Sequence, residues 1–151
     1  MISKQKLQEE LKQSMLAKDE LRTSVIRLLL SAINYFEIQK GGAGYSATDE
    51  DVLSVIQQQV KQRKDSIEQF KNAGRQELAD KERKELEILQ KYLPEQMSEE
   101  EVKSIIQETI NELGASTIQD MGKVMGALNA KLKGKVDMGI VSSLVKFSLS
   151  S

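Results

Sequence analysis

The residues of this chain best suited to chemistry lie between positions 113 and 137, LGASTIQDMGKVMGALNAKLKGKVD, a helix-like segment with glycines on the face away from the expected core and lysines clustered around its end. With Met121 set at zero and about 100° per residue, Met121, Val124, Met125, Leu128 and Leu132 form one stripe. Gly122, Gly126, Ala130 and Lys133 fall roughly opposite, away from the expected core. Each glycine costs an exposed helix about 1 kcal/mol relative to alanine. The use expected of them is their small profile, which lets another molecule approach closely. Lysine neutralises phosphate, and a residue without Cβ admits a nucleic-acid backbone without a side-chain collision. A partner helix is the other occupant such a face accepts.

The rest of the composition narrows the chemistry. The chain has no histidine and no cysteine, which removes the commonest general base, the commonest transition-metal ligand, disulfides and thiolate chemistry. Carboxylates remain, but the 23 acidic residues are spread along helices and no pair stands out by spacing. No catalytic residue, metal site or cofactor is expected. A net charge of −1 makes no general case for nucleic acid, so the case rests on local clustering. Between residue 98 and the C-terminus, Glu99, Glu100, Glu101, Glu108, Glu112 and Asp120 fill the first half, whereas Lys123, Lys131, Lys133, Lys135 and Lys146 oppose only Asp137 in the second. Lysines at a helix C-terminus also complement its dipole, so this basic end has a purely structural reading as well.

These residues must be positioned by helices. Hydrophobic content of 39% with 30% charge describes a soluble globular protein, and a single proline with few alternating β-branched runs predicts an all-α fold. Ser3 caps a first helix ending near Lys18, and Asp19 caps a second in which apolar residues on several sides, from Leu21 to Phe36, predict cover on several sides. KGGAGYS at 40–46 lacks the ending of a phosphate loop and comes after a helix, so it is a connection. Thr48 and Asp51 form a capping box for a third helix running to about Ala73, and Gly74 separates it from a fourth ending at Pro94. Gln59 and Arg63 sit on the apolar stripe of the third helix, where they need an interhelical hydrogen-bond network or, alternatively, a ligand. Ser98 and Glu101 open a fifth helix that stops at Gly114, the glycine-bearing helix spans about Ile118 to Lys133, and Asp137 caps the last. The expected organisation is an N-terminal four-helix domain over 1–94, with a long helical hairpin, and then a C-terminal three-helix bundle over 95–151. No run approaches the roughly 18 apolar residues of a membrane helix, and MISKQKLQEE lacks a signal-peptide core. A cytoplasmic location and no membrane association are expected.

Three stretches carry a resemblance over nearly the whole chain: LRTSVIRLLLSAINYFEI at 21–38, VKQRKDSIEQFKNAGRQELADKERKELEILQKYLPEQMSEEE at 60–101, and DMGKVMGALNAKLKGKVD at 120–137. Together they are similar to the GatB/YqeY family. The resemblance implies two helical domains, the second like the tail of the B subunit of the glutamine-dependent aspartyl/glutamyl-tRNA amidotransferase, a module that contacts tRNA. The label that goes with that enzyme is carbon-nitrogen ligase with glutamine as amido-N-donor. Its amidating and glutamine-hydrolysing units lie outside the tail, so the expectation is a tRNA-binding accessory module without catalytic activity alone. Carried over position by position, the resemblance puts RNA contact on Gly122, Lys123, Gly126, Lys133, Gly134 and Lys135. No aromatic residue interleaves with them, so recognition should depend on RNA shape and not on base stacking. Two alternatives stay open: a protein-protein adaptor receiving a helix on Gly122 and Gly126, with a partner in tRNA aminoacylation or amidation, and a component of amidotransferase activity acting with other subunits.

Overall fold

The computed structural model describes residues 2–150, and among them it has seven α-helices and no strand. The chain divides into two compact units, 1–93 and 94–151. The first holds α1 (Lys4–Leu16), α2 (Glu20–Gly41), α3 (Asp49–Asn72) and α4 (Gln76–Gln90). The second holds α5 (Glu99–Leu113), α6 (Met121–Leu132) and α7 (Met138–Ser150). Among the described residues no helix is long and apolar enough to cross a membrane.

In the first unit the helix ends are set by side-chain caps. The Ser3 hydroxyl accepts the Lys6 N–H at 3.1 Å, and the Asp19 carboxylate accepts that of Arg22 at 3.1 Å. Between them the chain reverses through Lys18 at φ 55°, and Thr23 donates to the buried Ser14 hydroxyl at 2.9 Å. Val25, Ile26, Leu29 and Ile33 of α2 are buried, and α1, α3 and α4 pack around that helix. Cover on its remaining side is not found. Leu21 and Leu28, expected inside, are 36% and 52% exposed, because they lie just past the edge of the arc centred on the buried residues.

The glycine-rich connection closes over polar groups. A Cβ on Gly41 would come within 2.7 Å of the Tyr45 Cβ, and Gly42 has φ +75°, so both positions favour glycine. The turn brings Tyr45 over the end of α2, where the Asp51 carboxylate accepts from Lys40 Nζ at 2.8 Å, from the Tyr45 hydroxyl and from the Thr48 N–H at 3.0 Å. Nearby, Glu37 accepts from Lys4 Nζ at 2.6 Å and from the Ala47 N–H at 2.7 Å. The Lys40 ammonium and Tyr45 hydroxyl hold the Asp51 carboxyl well below its ordinary 3.8, and Lys4 holds Glu37 below 4.5. Both depressions act in one direction. Their stabilisation is complete above the unfolded-state values and is lost as pH falls through the depressed folded-state ones. Unfolding free energy should therefore drop steadily below about pH 4.5. Asp51→Asn should cost about 1–2 kcal/mol at pH 7 and flatten that acid limb, as read by urea titration at pH 7 and pH 3.

The α3/α4 hairpin turns at Gly74, φ +72°, and buries Ile56, Val60, Ile67, Ala79, Leu86 and Leu89. Arg63 is buried as well. One guanidinium nitrogen donates to Glu82 at 3.0 Å and to the buried Glu85, so the charge on the apolar stripe is paired with carboxylates of the facing helix, although the Arg63 Nε has no hydrogen-bond partner. Gln59 is half-buried.

In the second unit Ser98 and Glu101 form the capping box of α5, and Gly114 ends that helix in the left-handed region. Val102, Ile106 and Ile110 of α5, Val124, Leu128 and Leu132 of α6, and Val141, Val145 and Leu149 of α7 make one core. The segment Ile118–Asp120 is a single 3-10 turn, so the glycine-bearing α-helix starts three residues later than expected. Asp137 accepts the Gly139 N–H at 2.8 Å ahead of α7.

Candidate nucleic-acid interface

Helix α6 is oriented by its apolar stripe. Val124, Leu128 and Leu132 are fully buried, with Met121 and Met125 packed against the same core, so the residues half a turn away face solvent. Gly122, Lys123, Gly126, Asn129 and Ala130 are all exposed. A Cβ built on Gly122 or Gly126 meets nothing within 4 Å. The glycines are thus not required by packing inside the bundle. Gly126→Ala should raise the unfolding free energy by up to about 1 kcal/mol, and Gly122→Ala, in the first turn, by less. Chemical denaturation of the two variants measures this.

The lysines are arranged around the two ends of this open strip. Lys123 adjoins Gly122 in the first turn, where its charge also helps to keep the Asp120 carboxyl below its ordinary 3.8, behind the larger effect of the Ser116 and Thr117 N–H groups. At the other end Lys133 caps α6 and Lys135 stands two residues later, both exposed. Gly134 between them is buried at φ +82°, and its carbonyl accepts from Gln96 Nε2 at 2.8 Å. The Lys135 carbonyl likewise accepts the Met97 N–H at 3.0 Å. Gly134, expected on the contact surface, instead makes the turn that holds its neighbours apart. Five of the six expected contact residues are on the surface. The sixth is beneath it, because a residue ending a helix with positive φ turns the chain back into the bundle.

Two polar residues near the strip behave differently. Lys131 lies on the other flank of α6, toward α5: its ammonium donates to Thr109 at 3.1 Å and to Glu112 at 3.3 Å. Asn129 joins the strip, supplying a neutral donor and acceptor between Gly126 and Lys133. Its place was readable from the 100° step, which puts it beside Gly122. The Gln96 contact was not, since the partners are 38 residues apart. A surface of this kind can neutralise phosphates and approach a backbone closely; it does not place a nucleophile beside a base.

Comparison with known proteins matches nearly the whole chain to one family. The family described as Yqey-like protein matches residues 4–149. Among curated relatives, Altered inheritance of mitochondria protein 41 of Clavispora lusitaniae is 33% identical over 148 residues, covering 96% of this chain and 84% of the relative. Its namesake in Pyrenophora tritici-repentis is 32% identical over 145 residues, 93% of this chain and 77% of the relative. That of Lachancea thermotolerans is 38% identical over 113 residues, 73% of this chain and 59% of the relative. All three are named as mitochondrial proteins, which overturns the plain cytoplasmic location expected from the sequence. The reason lies in the test applied, since lacking an apolar signal core speaks only to secretion and leaves other compartments open. From residue 4 to residue 149, this chain belongs to the Yqey-like protein family.

Proposed function

We propose that this protein is a tRNA-binding accessory module without catalytic activity of its own, in which the second unit holds the RNA. One observation carries the reading: the exposed side of α6 has open space at Gly122 and Gly126 and is bordered by Lys123, Lys133 and Lys135. Two glycines that packing does not require lower helix stability, and a backbone-sized ligand gives that cost a use. The resemblance to the amidotransferase tail supports tRNA as that ligand. Three or four lysines meeting phosphates make a weak, salt-sensitive binder, which suits a module that adds affinity to a larger assembly.

Binding of bulk tRNA, and of mitochondrial tRNA beside it, is measured by electrophoretic mobility shift between about 25 and 200 mM salt. The logarithm of affinity should fall against the logarithm of salt with a slope of about −3. Absence of binding at the lowest salt, or a slope near zero, overturns the proposal. Retention of a protein partner after nuclease treatment, with no RNA bound, would replace it by the adaptor reading.

A further inference from the structure

The open side of α2 is neither part of the α6 surface nor covered by the first unit's own helices. Its exposed residues recur at heptad spacing: Leu21, Leu28 and Tyr35 every seven, with Ser24, Ser31 and Ile38 three residues after each. Leu28, Tyr35 and Ile38 are 52%, 66% and 61% exposed. A seam repeating every 3.5 residues is the pattern with which one helix meets another along its length. Its order also says which helix.

Turned end for end, the seam fits itself. Pairing each residue i with residue 59 − i of a second copy sets Leu21 against Ile38, Ser24 against Tyr35 and Leu28 against Ser31, and each pair occurs twice by symmetry. Every internal layer then joins one large side chain to one small, and the two end layers join aliphatics. A parallel pairing in register would instead set Tyr35 on Tyr35 and leave Ser24 and Ser31 facing their own copies, which alternates overfilled with empty layers. Antiparallel pairing also sets the two helix dipoles head to tail, with Asp19 and Glu20 at one end near Lys40 at the other. The aliphatic stem of Arg27 borders the seam, its guanidinium 3.8 Å from the Met15 sulfur.

We infer that this face of α2 is a two-fold interface between two copies of the chain, with the helices antiparallel and Leu28 of each against Ser31 of the other. The four large side chains expose on the order of 400 Å² per copy, so the pair buries roughly 1,000 Å² with the serines and Arg27 included, the small end of specific interfaces. An interface at that end of the range belongs to weak, transient associations, so monomer and dimer exchange.

Sedimentation equilibrium of the whole chain from about 2 to 500 µM tests this. A monomer–dimer equilibrium is expected, and Leu28→Glu should weaken it at least tenfold with unchanged helical circular dichroism, since Leu28 is not part of the folded core. Should that variant fold poorly, orientation is read by crosslinking in an otherwise cysteine-free chain. Leu21→Cys mixed with Ile38→Cys should form a disulfide-linked pair on mild oxidation, and Leu21→Cys alone should not. A monomer at every concentration, or efficient crosslinking of Leu21→Cys to itself, overturns the inference.

Discussion

Arg63→Ala is expected to lower the unfolding free energy by about 3–5 kcal/mol, more than any other single substitution proposed for this chain. Arg63 and Glu85 are each only 8% exposed, and they meet between α3 and α4 with Glu82 3.0 Å from the same guanidinium nitrogen. Removing the cation leaves a buried carboxylate without its partner and a cavity the length of an arginine side chain. Both terms act in the same direction. The pair itself is another matter, because its attraction is offset by the cost of taking both charges out of water, and the buried Arg63 Nε has no hydrogen-bond partner. The double variant Arg63→Met, Glu85→Leu should accordingly return to within about 1 kcal/mol of the parent or exceed it. Urea denaturation of the two variants decides the matter. A loss under about 1 kcal/mol for Arg63→Ala would show that Glu85 finds water or another cation when the arginine is gone.

Reversing three charges on the second unit should have the next largest effect. The triple variant Lys123→Glu, Lys133→Glu, Lys135→Glu is expected to bind tRNA at least about 100-fold more weakly than the parent at 50 mM salt, because three counterion-releasing contacts become three repulsions. Changing the same residues to glutamine should give an intermediate loss and a slope against salt close to zero. Fold integrity is a separate reading. Glutamates at the end of α6 oppose its dipole at about 0.3–1 kcal/mol each, so the melting midpoint must be measured beside binding. Binding unchanged in the triple variant would remove the α6 surface from the function, whatever the rest of the chain does with RNA.

Much of the local architecture was legible in the amino-acid order. Ser3, Asp19, the Thr48/Asp51 box and the Ser98/Glu101 box stand where the caps form, because a cap depends on residues three positions apart. The apolar stripe of α6 was legible for the same reason, and with it the exposure of Gly122 and Gly126. Long-range placement was not. That Arg63 would find Glu82 and Glu85, that Gly134 would be buried under Gln96, and that Leu28 would be left outside depend on which helix lies across from which.

The residues alone determined that this chain is helical, where most of its helices start and stop, and which side of each is apolar, since these depend on interactions within one turn or one face. Tertiary packing decided how much of each apolar side is used. On α2 three neighbouring helices cover one arc and leave Leu21, Leu28, Tyr35 and Ile38 in water, although by type they are indistinguishable from core residues. Burial is a property of what lies opposite a side chain, and a one-dimensional pattern holds the period of a face without the identity of its neighbour.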